Sequence, residues 1–266
     1  MTTLVSNRRD VLVKALGAAL ATGLTGCRRA SGGGETAPQG KQDGPDAATR
    51  RAFAAFGDFG YQRINARRME HLASLGIYVA GKSVLEPGAG TGDLSHYFVD
   101  RGCSACITDV RPELLQILRE RYPGQDVQLL DAEHPQLASG PYDVVFCYGL
   151  LYHLGTPLEC IEFFASKCRE VMLLETCVSF GDDEALHLTR EFTDDPSQSA
   201  SGRGCRPTRP WVMKTLRANF EHVYLTRTQP NHEQFPVDWR SPPSTRRASH
   251  GRSSLPRVAP CRAPFS

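Results

Sequence analysis

The chain carries almost no surplus charge: 31 lysines and arginines against 29 acidic residues over 266 positions leave a formal +2. Its basic residues gather near the two ends and the middle is mildly acidic, so no stretch has the footprint of a nucleic-acid binder. The apolar, small-residue run from Ala15 to Leu24 is well short of the roughly 20 residues a permanent membrane span needs. The nine cysteines lack any fixed spacing, and a chain this long does not depend on a disulfide framework. Cys103 and Cys106 form a CxxC, but no second pair follows at zinc spacing, so no metal site is expected. Cys147, Cys160, Cys168 and Cys177 sit in apolar runs and read as small hydrophobes. What is present is 40% apolar content, enough for one domain of about 150–200 residues plus tails.

The two tails differ in kind from the middle. Residues 1–27 combine paired arginines, Arg8 and Arg9, with the Ala15–Leu24 run and the ending Leu24-Thr25-Gly26-Cys27. This arrangement resembles a twin-arginine export signal followed by a bacterial lipoprotein box. The resemblance implies export and a membrane anchor through a lipid on Cys27; without it the chain is expected to be cytoplasmic. Val11 departs from the signal pattern, which more often has phenylalanine there. Residues 28–50 are rich in Gly, Ala and charge without periodicity and read as a flexible linker. The domain proper spans 51–240. Residues 241–266, "SPPSTRRASHGRSSLPRVAPCRAPFS", read as a disordered Ser/Pro/Arg-rich tail.

Between the tails, apolar strand-like runs alternate with helical patterns. "YQRINARRMEHLASLGI" has apolar residues at roughly helical spacing, with Gly76 as a stop. Val84 and Leu85 open a strand, and a helix is expected from about Asp93 to Arg101. "SACITDV" is a second strand, and Pro112 starts the helix that continues through "ELLQILRERY". "DVQLLDAE", "YDVVFCYGLL" and "REVMLLETCV" are further strands, with "PLECIEFFASKC" a helix between the last two. "VMKTLRANF" predicts a helix and "HVYLTRTQ" a sixth strand. This alternation implies an α/β fold, a doubly wound, mainly parallel sheet flanked by helices.

The first strand runs into Glu86-Pro87-Gly88-Ala89-Gly90-Thr91-Gly92. A phosphate-binding P-loop is excluded because no Gly-Lys-Ser/Thr follows. The dinucleotide fingerprint asks for glycine three residues after Gly90, where this chain has Asp93, an acid that would repel a pyrophosphate. The acidic-x-Gly-x-Gly-x-Gly form resembles motif I of the class I S-adenosylmethionine-dependent methyltransferases, and the resemblance extends in order from about Lys82 to Thr176. It implies a Rossmann-like fold and S-adenosyl-L-methionine as cofactor. It places Glu86 near the cofactor's methionine part and uses Gly88, Gly90 and Gly92 for close backbone approach. Asp109 would hold the ribose hydroxyls, Asp131 with Ala132 the adenine, and the segment from Phe146 through Cys147 to Leu154 would turn its backbone to the sulfonium side. The family's seventh, antiparallel strand has no counterpart after Trp239: it is missing or altered, or the tail lies in another reading frame.

The resemblance implies a methyltransferase acting on an unidentified, small-molecule acceptor. The alternatives are a cofactor-binding protein of the same fold without catalysis, and a nicotinamide-dependent oxidoreductase. His153, just past the fourth strand, is the candidate base by position and chemistry, or else a packing histidine; Tyr152 is the second catalytic candidate. Tyr148 either lines the pocket or belongs to the core, and Glu175 favours a structural role. The polar stretch 181–211 is long enough to be functional. Its Arg203, Arg206 and Arg209 either clamp an anionic acceptor group or form a solvated basic stretch.

Overall fold

A computed structural model of the chain describes residues 46–236 in full and the backbone of residues 10–17. A seven-stranded sheet forms its centre. In chain order the strands are β1 (Asp10–Gly17), β2 (Ser83–Glu86), β3 (Ser104–Asp109), β4 (Asp126–Leu129), β5 (Tyr142–Tyr148), β6 (Cys168–Val178) and, last, β9 (His222–Leu225). Their spatial order is β4-β3-β2-β5-β6-β1-β9, every neighbouring pair parallel. From β2 the chain steps outward to β3 and β4, then crosses back to lay β5 on the other side of β2. That reversal opens a crevice beyond the carboxyl ends of β2 and β5.

Among the described residues six α-helices flank this sheet: α1 (Ala47–Phe56), α2 (Phe59–Ser74), α3 (His96–Val99), α4 (Pro112–Arg121), α5 (Pro157–Lys167) and α6 (Arg209–Asn219). Strand β5 shows why its sequence is apolar throughout. Val145 and Cys147 join the core beneath α5 and α6, with Ile161, Phe164, Val212 and Leu216. Val144, Phe146 and Tyr148 point the other way, into the core with Leu72, Phe98 and Leu118 of α2, α3 and α4. A parallel strand covered on both faces has no solvent side to keep polar.

Local signals account for most helix ends. Asp46 caps α1 by accepting from Thr49 N at 2.7 Å, and Asp58 caps α2 through Gly60 N and Tyr61 N. Pro112 and Pro157 occupy the opening turns of α4 and α5, where a missing N–H costs nothing. Gly76, at φ +65°, follows the end of α2.

Several elements depart from the sequence reading. Helix α1 begins at Ala47, inside the expected linker, because Asp46 supplies a cap. The helix expected over 93–101 narrows to His96–Val99, since the chain leaves the glycine loop through turns up to Ser95. The long polar stretch is not a bare loop. Strands β7 (Leu186–Arg190) and β8 (Arg203–Pro207) pair antiparallel into a hairpin arm with a broad tip.

The largest departure concerns the leader. Asp10–Gly17 pairs along eight residues with β6 and along four with β9, filling the gap between them. The sheet therefore has seven strands, but the seventh comes from the N-terminal side and runs parallel. Among the described residues no strand follows β9. The remainder of the leader, Cys27, the linker up to 45 and the 241–266 tail lie outside the described residues.

Candidate active site

The crevice at the strand reversal is a cleft of about 390 Å³. Its floor is the glycine loop after β2, and its walls are the ends of β3, β4 and β5. Helix α2 and the tip of the hairpin arm, residues 196–201, cover it from the other side.

The loop's three glycines all have left-handed backbones, φ +64° at Gly88, +60° at Gly90 and +80° at Gly92. What approaches their bare backbone is first of all protein. A Cβ at Gly88 would sit 2.7 Å from Leu150, at Gly90 2.7 Å from the Phe56 ring, and at Gly92 2.6 Å from Tyr122. Gly88 and Gly90 line the cleft. Gly92 does not: it backs onto α4, where Tyr122 Oη donates to its carbonyl at 2.6 Å.

Glu86 and Asp109 bring two buried carboxylates to the floor, 3% and 6% exposed. Glu86 Oε2 has no hydrogen-bond partner within normal geometry among the described residues; burial pushes its pKa up to about 7, against the nearby Ser95 hydroxyl and with a smaller push from Asp93. Asp109 accepts from Gly90 N and Arg111 N, each at 3.0 Å; burial still raises it to about 6 against those two backbone donors. A buried carboxylate oxygen without a partner calls for a cationic or donating group on a ligand. The residues present therefore fit a cofactor with an ammonium and a pair of hydroxyls.

Asp131 is different in character. Burial pushes its pKa up, but hydrogen bonds from His134 Nδ1 (3.0 Å) and Glu133 N (2.9 Å) outweigh this and leave it lowered. It lines the cleft beside Ala132 while also closing its own turn. Cys147 is not brought to the cleft: it lies on the α5–α6 face of β5, fully buried, one position out of phase with the cleft-lining Tyr148. Burial also pushes its thiol up to about 12.

Asp93 does not behave as the sequence suggested. It lines the cleft edge, but Arg121 NH1 meets it at 2.8 Å and Gln62 Nε2 at 3.0 Å, so its charge is already compensated. After the loop the chain runs through turns, and α3 begins only at His96.

The opposite wall holds groups that the sequence reading did not single out. Arg68, on α2, makes a bidentate pair with Glu175 at 2.7 and 2.8 Å and donates to Asn65 Oδ1 at 2.8 Å. Although burial works against the charged guanidinium, Glu175 holds its pKa well above the usual arginine value. This is the structural role expected of Glu175. Asn65 Nδ2, buried in the same wall, has no partner among the described residues. Only the i, i+4, i+7 spacing of Tyr61, Asn65 and Arg68 along one helix face marked them beforehand.

His153 and Tyr152 sit in a short 3₁₀ turn, Leu151–His153, and both line the cleft, their rings 4.1 Å apart. Burial raises the Tyr152 phenol well above its ordinary value. None of Arg203, Arg206 and Arg209 is among the residues lining the cleft. Arg206 donates to the carbonyls of Tyr152 (3.0 Å) and Cys205 (2.7 Å) and faces Glu191, so it is an internal strut rather than an anion clamp.

With this geometry in view, the relatives can be placed. Residues 84–172, a third of the chain, match the methyltransferase domain family. A tRNA U34 carboxymethyltransferase of Dichelobacter nodosus is 28% identical over 141 residues, covering 50% of this chain and 42% of that protein. A ubiquinone biosynthesis O-methyltransferase of Erwinia tasmaniensis is 33% identical over 112 residues, covering 40% and 46%. The chain thus spans about half the length of the curated relatives it matches. Among solved structures, the N-terminal domain of EvdMO1 in the presence of SAH and D-fucose superposes with a TM-score of 0.46 at 19% identity, covering 58% of this chain and 72% of that one. That likeness is too loose to carry argument.

Proposed function

We propose that the chain is an S-adenosylmethionine-dependent methyltransferase that modifies a small-molecule acceptor. The observation that supports this best is the pairing of Glu86 and Asp109 at adjacent strand ends, inside the segment that matches the methyltransferase domain. When bound, S-adenosylmethionine supplies an electrophilic methyl on a sulfonium.

The protein's part is binding and orientation. Glu86 takes the ammonium of the cofactor's amino-acid end, which satisfies its orphan oxygen. Asp109, held by Gly90 N and Arg111 N, retains lone pairs for the ribose hydroxyls. Asp131 and Ala132 flank the adenine side. The Arg68–Glu175 pair fixes the back wall without leaving free charge there, which suits an uncharged acceptor better than an anionic one. The covering arm tip limits water, and the acceptor enters between it and α2.

Calorimetry tests the reading. S-adenosylhomocysteine is expected to bind and NAD not to bind, and Asp109→Ala to weaken binding at least about tenfold. Binding of NAD instead, or unaltered affinity in the variant, would remove the proposal. Label transfer from the methyl donor to a small-molecule fraction of lysate separates an enzyme from a cofactor-binding protein.

Location carries a second proposal, from β1. A segment paired between β6 and β9 cannot at the same time be cut away ahead of Cys27. We favour retention of the leader in the folded protein, in the compartment where the cofactor is made. Fractionation of the tagged chain beside Cys27→Ala decides: a membrane pool that depends on Cys27 would refute retention.

A further inference from the structure

The hairpin arm does more than cover the cleft. Glu191, the residue after β7, turns its carboxylate inward, with the side chain only 3% exposed. Oε2 meets His153 Nδ1 at 2.5 Å and accepts from Ser199 N at 2.9 Å; Oε1 faces Arg206 at 3.5 Å. Burial works to raise the Glu191 pKa, and His153, Ser199 N and Arg206 together outweigh it and leave it lowered.

This contact is built for. On the facing strand, a Cβ at Gly204 would stand 2.6 Å from Glu191 Oε1 and 2.7 Å from the Tyr152 carbonyl. Only a residue without a side chain leaves that room. An ionised carboxylate against Nδ1 fixes the proton there, so in the neutral imidazole the lone pair is on Nε2. No described residue hydrogen-bonds His153 Nε2, and the ring lines the cleft.

We infer that Glu191 is the positioning residue of a Glu191–His153 dyad whose Nε2 removes a proton from a hydroxyl acceptor. This rests on the methyltransferase reading and deepens it. The acceptor O–H breaks toward Nε2 while the oxygen bonds the methyl carbon. The sulfur–carbon bond breaks, its electron pair stays on sulfur, and S-adenosylhomocysteine leaves. One positive charge passes from sulfonium to imidazolium, beside the Glu191 carboxylate. Asn65 Nδ2, unpartnered on the α2 wall, offers a donor to a second oxygen of the acceptor, so an acceptor with two oxygen functions fits best.

The test uses the full chain labelled with ¹⁵N-histidine, with S-adenosylhomocysteine added. His153, assigned from His153→Gln, is expected as the neutral Nδ1–H form. Glu191→Ala should release that form, while Glu191→Gln, which keeps an acceptor but no charge, should retain it. In label transfer to the small-molecule fraction, Glu191→Gln should lose about 10- to 100-fold in rate. Combined with His153→Gln, it should add no further loss. Unchanged affinity for S-adenosylhomocysteine shows that each variant folds. An Nε2–H form in the parent chain, or equal rates for parent and Glu191→Gln, would overturn the dyad. Failure of the parent chain to bind S-adenosylhomocysteine would instead overturn the methyltransferase reading, leaving the tautomer result standing.

Discussion

The half of the sheet made of β4, β3, β2 and β5 and the half made of β6, β1 and β9 are assembled by different routes. In the first, residues 83–148 supply all four strands consecutively, β2 feeding β3 and β3 feeding β4 before the chain crosses back to β5. Its strand ends place Glu86, Asp109 and Asp131 along one rim. The second half collects segments from distant parts of the chain: a strand from residues 10–17, one from 168–178 and one from 222–225. The wall opposite the glycine loop follows the second pattern, since α2 and the 186–207 arm come from distant parts of the sequence and both line the cleft. A contiguous unit builds the floor, whereas the covering side is left to attachments.

Four changes would break or sharpen this contrast. Deleting residues 1–17 should have the largest effect, because β6 and β9 lose the strand that joins them and expose unpaired edges. A fall in Tm of about 10 °C or more is expected by scanning calorimetry. An unchanged Tm would show that the second half does not need β1. Next comes Arg68→Ala, which strands the fully buried Glu175 at the seam between the halves. Urea unfolding should show a loss of about 3–5 kcal/mol.

Gly90→Ala strikes the cofactor half alone. It forces a side chain into φ +60° and against the Phe56 ring, costing about 1–3 kcal/mol, with weaker S-adenosylhomocysteine binding. The smallest effect is a pH dependence. Glu86 and Asp109 titrate at about 7 and about 6 when folded, above their ordinary 4.5 and 3.8, so the folded state holds more protons between pH 4 and 7. Their contribution to stability is complete below that window and is lost as pH rises through it. The cofactor's ammonium favours ionised Glu86, so affinity should rise over pH 6–7. Calorimetry that shows flat affinity there would remove Glu86 from that role.

The first half was largely readable from residues alone because both of its signals are local. A parallel strand buried on two faces is apolar without interruption, as in Val144 to Tyr148, and a left-handed turn is marked by its glycines. Side-chain direction within it follows the strand's alternation: Cys147 and Tyr148 are neighbours in sequence and point into opposite cores. The hairpin arm was hidden because its β7 strand, "LHLTR", buries neither leucine fully, Leu188 being exposed, and pairs only across a long tip. Nothing in the chain brings Glu191 near His153, 38 positions away, until β7 and β8 register.

Sequence by itself determined the strand-and-helix alternation, the bend after β2 and the acids at the next strand ends, since backbone conformation and burial act over a few residues. Tertiary structure alone decided that a leader-like run becomes the strand between β6 and β9, that Asp93 is neutralised by Arg121, and that Glu191 meets His153. Those outcomes depend on which distant surfaces find each other, and charge compensation or edge pairing has no value until they do.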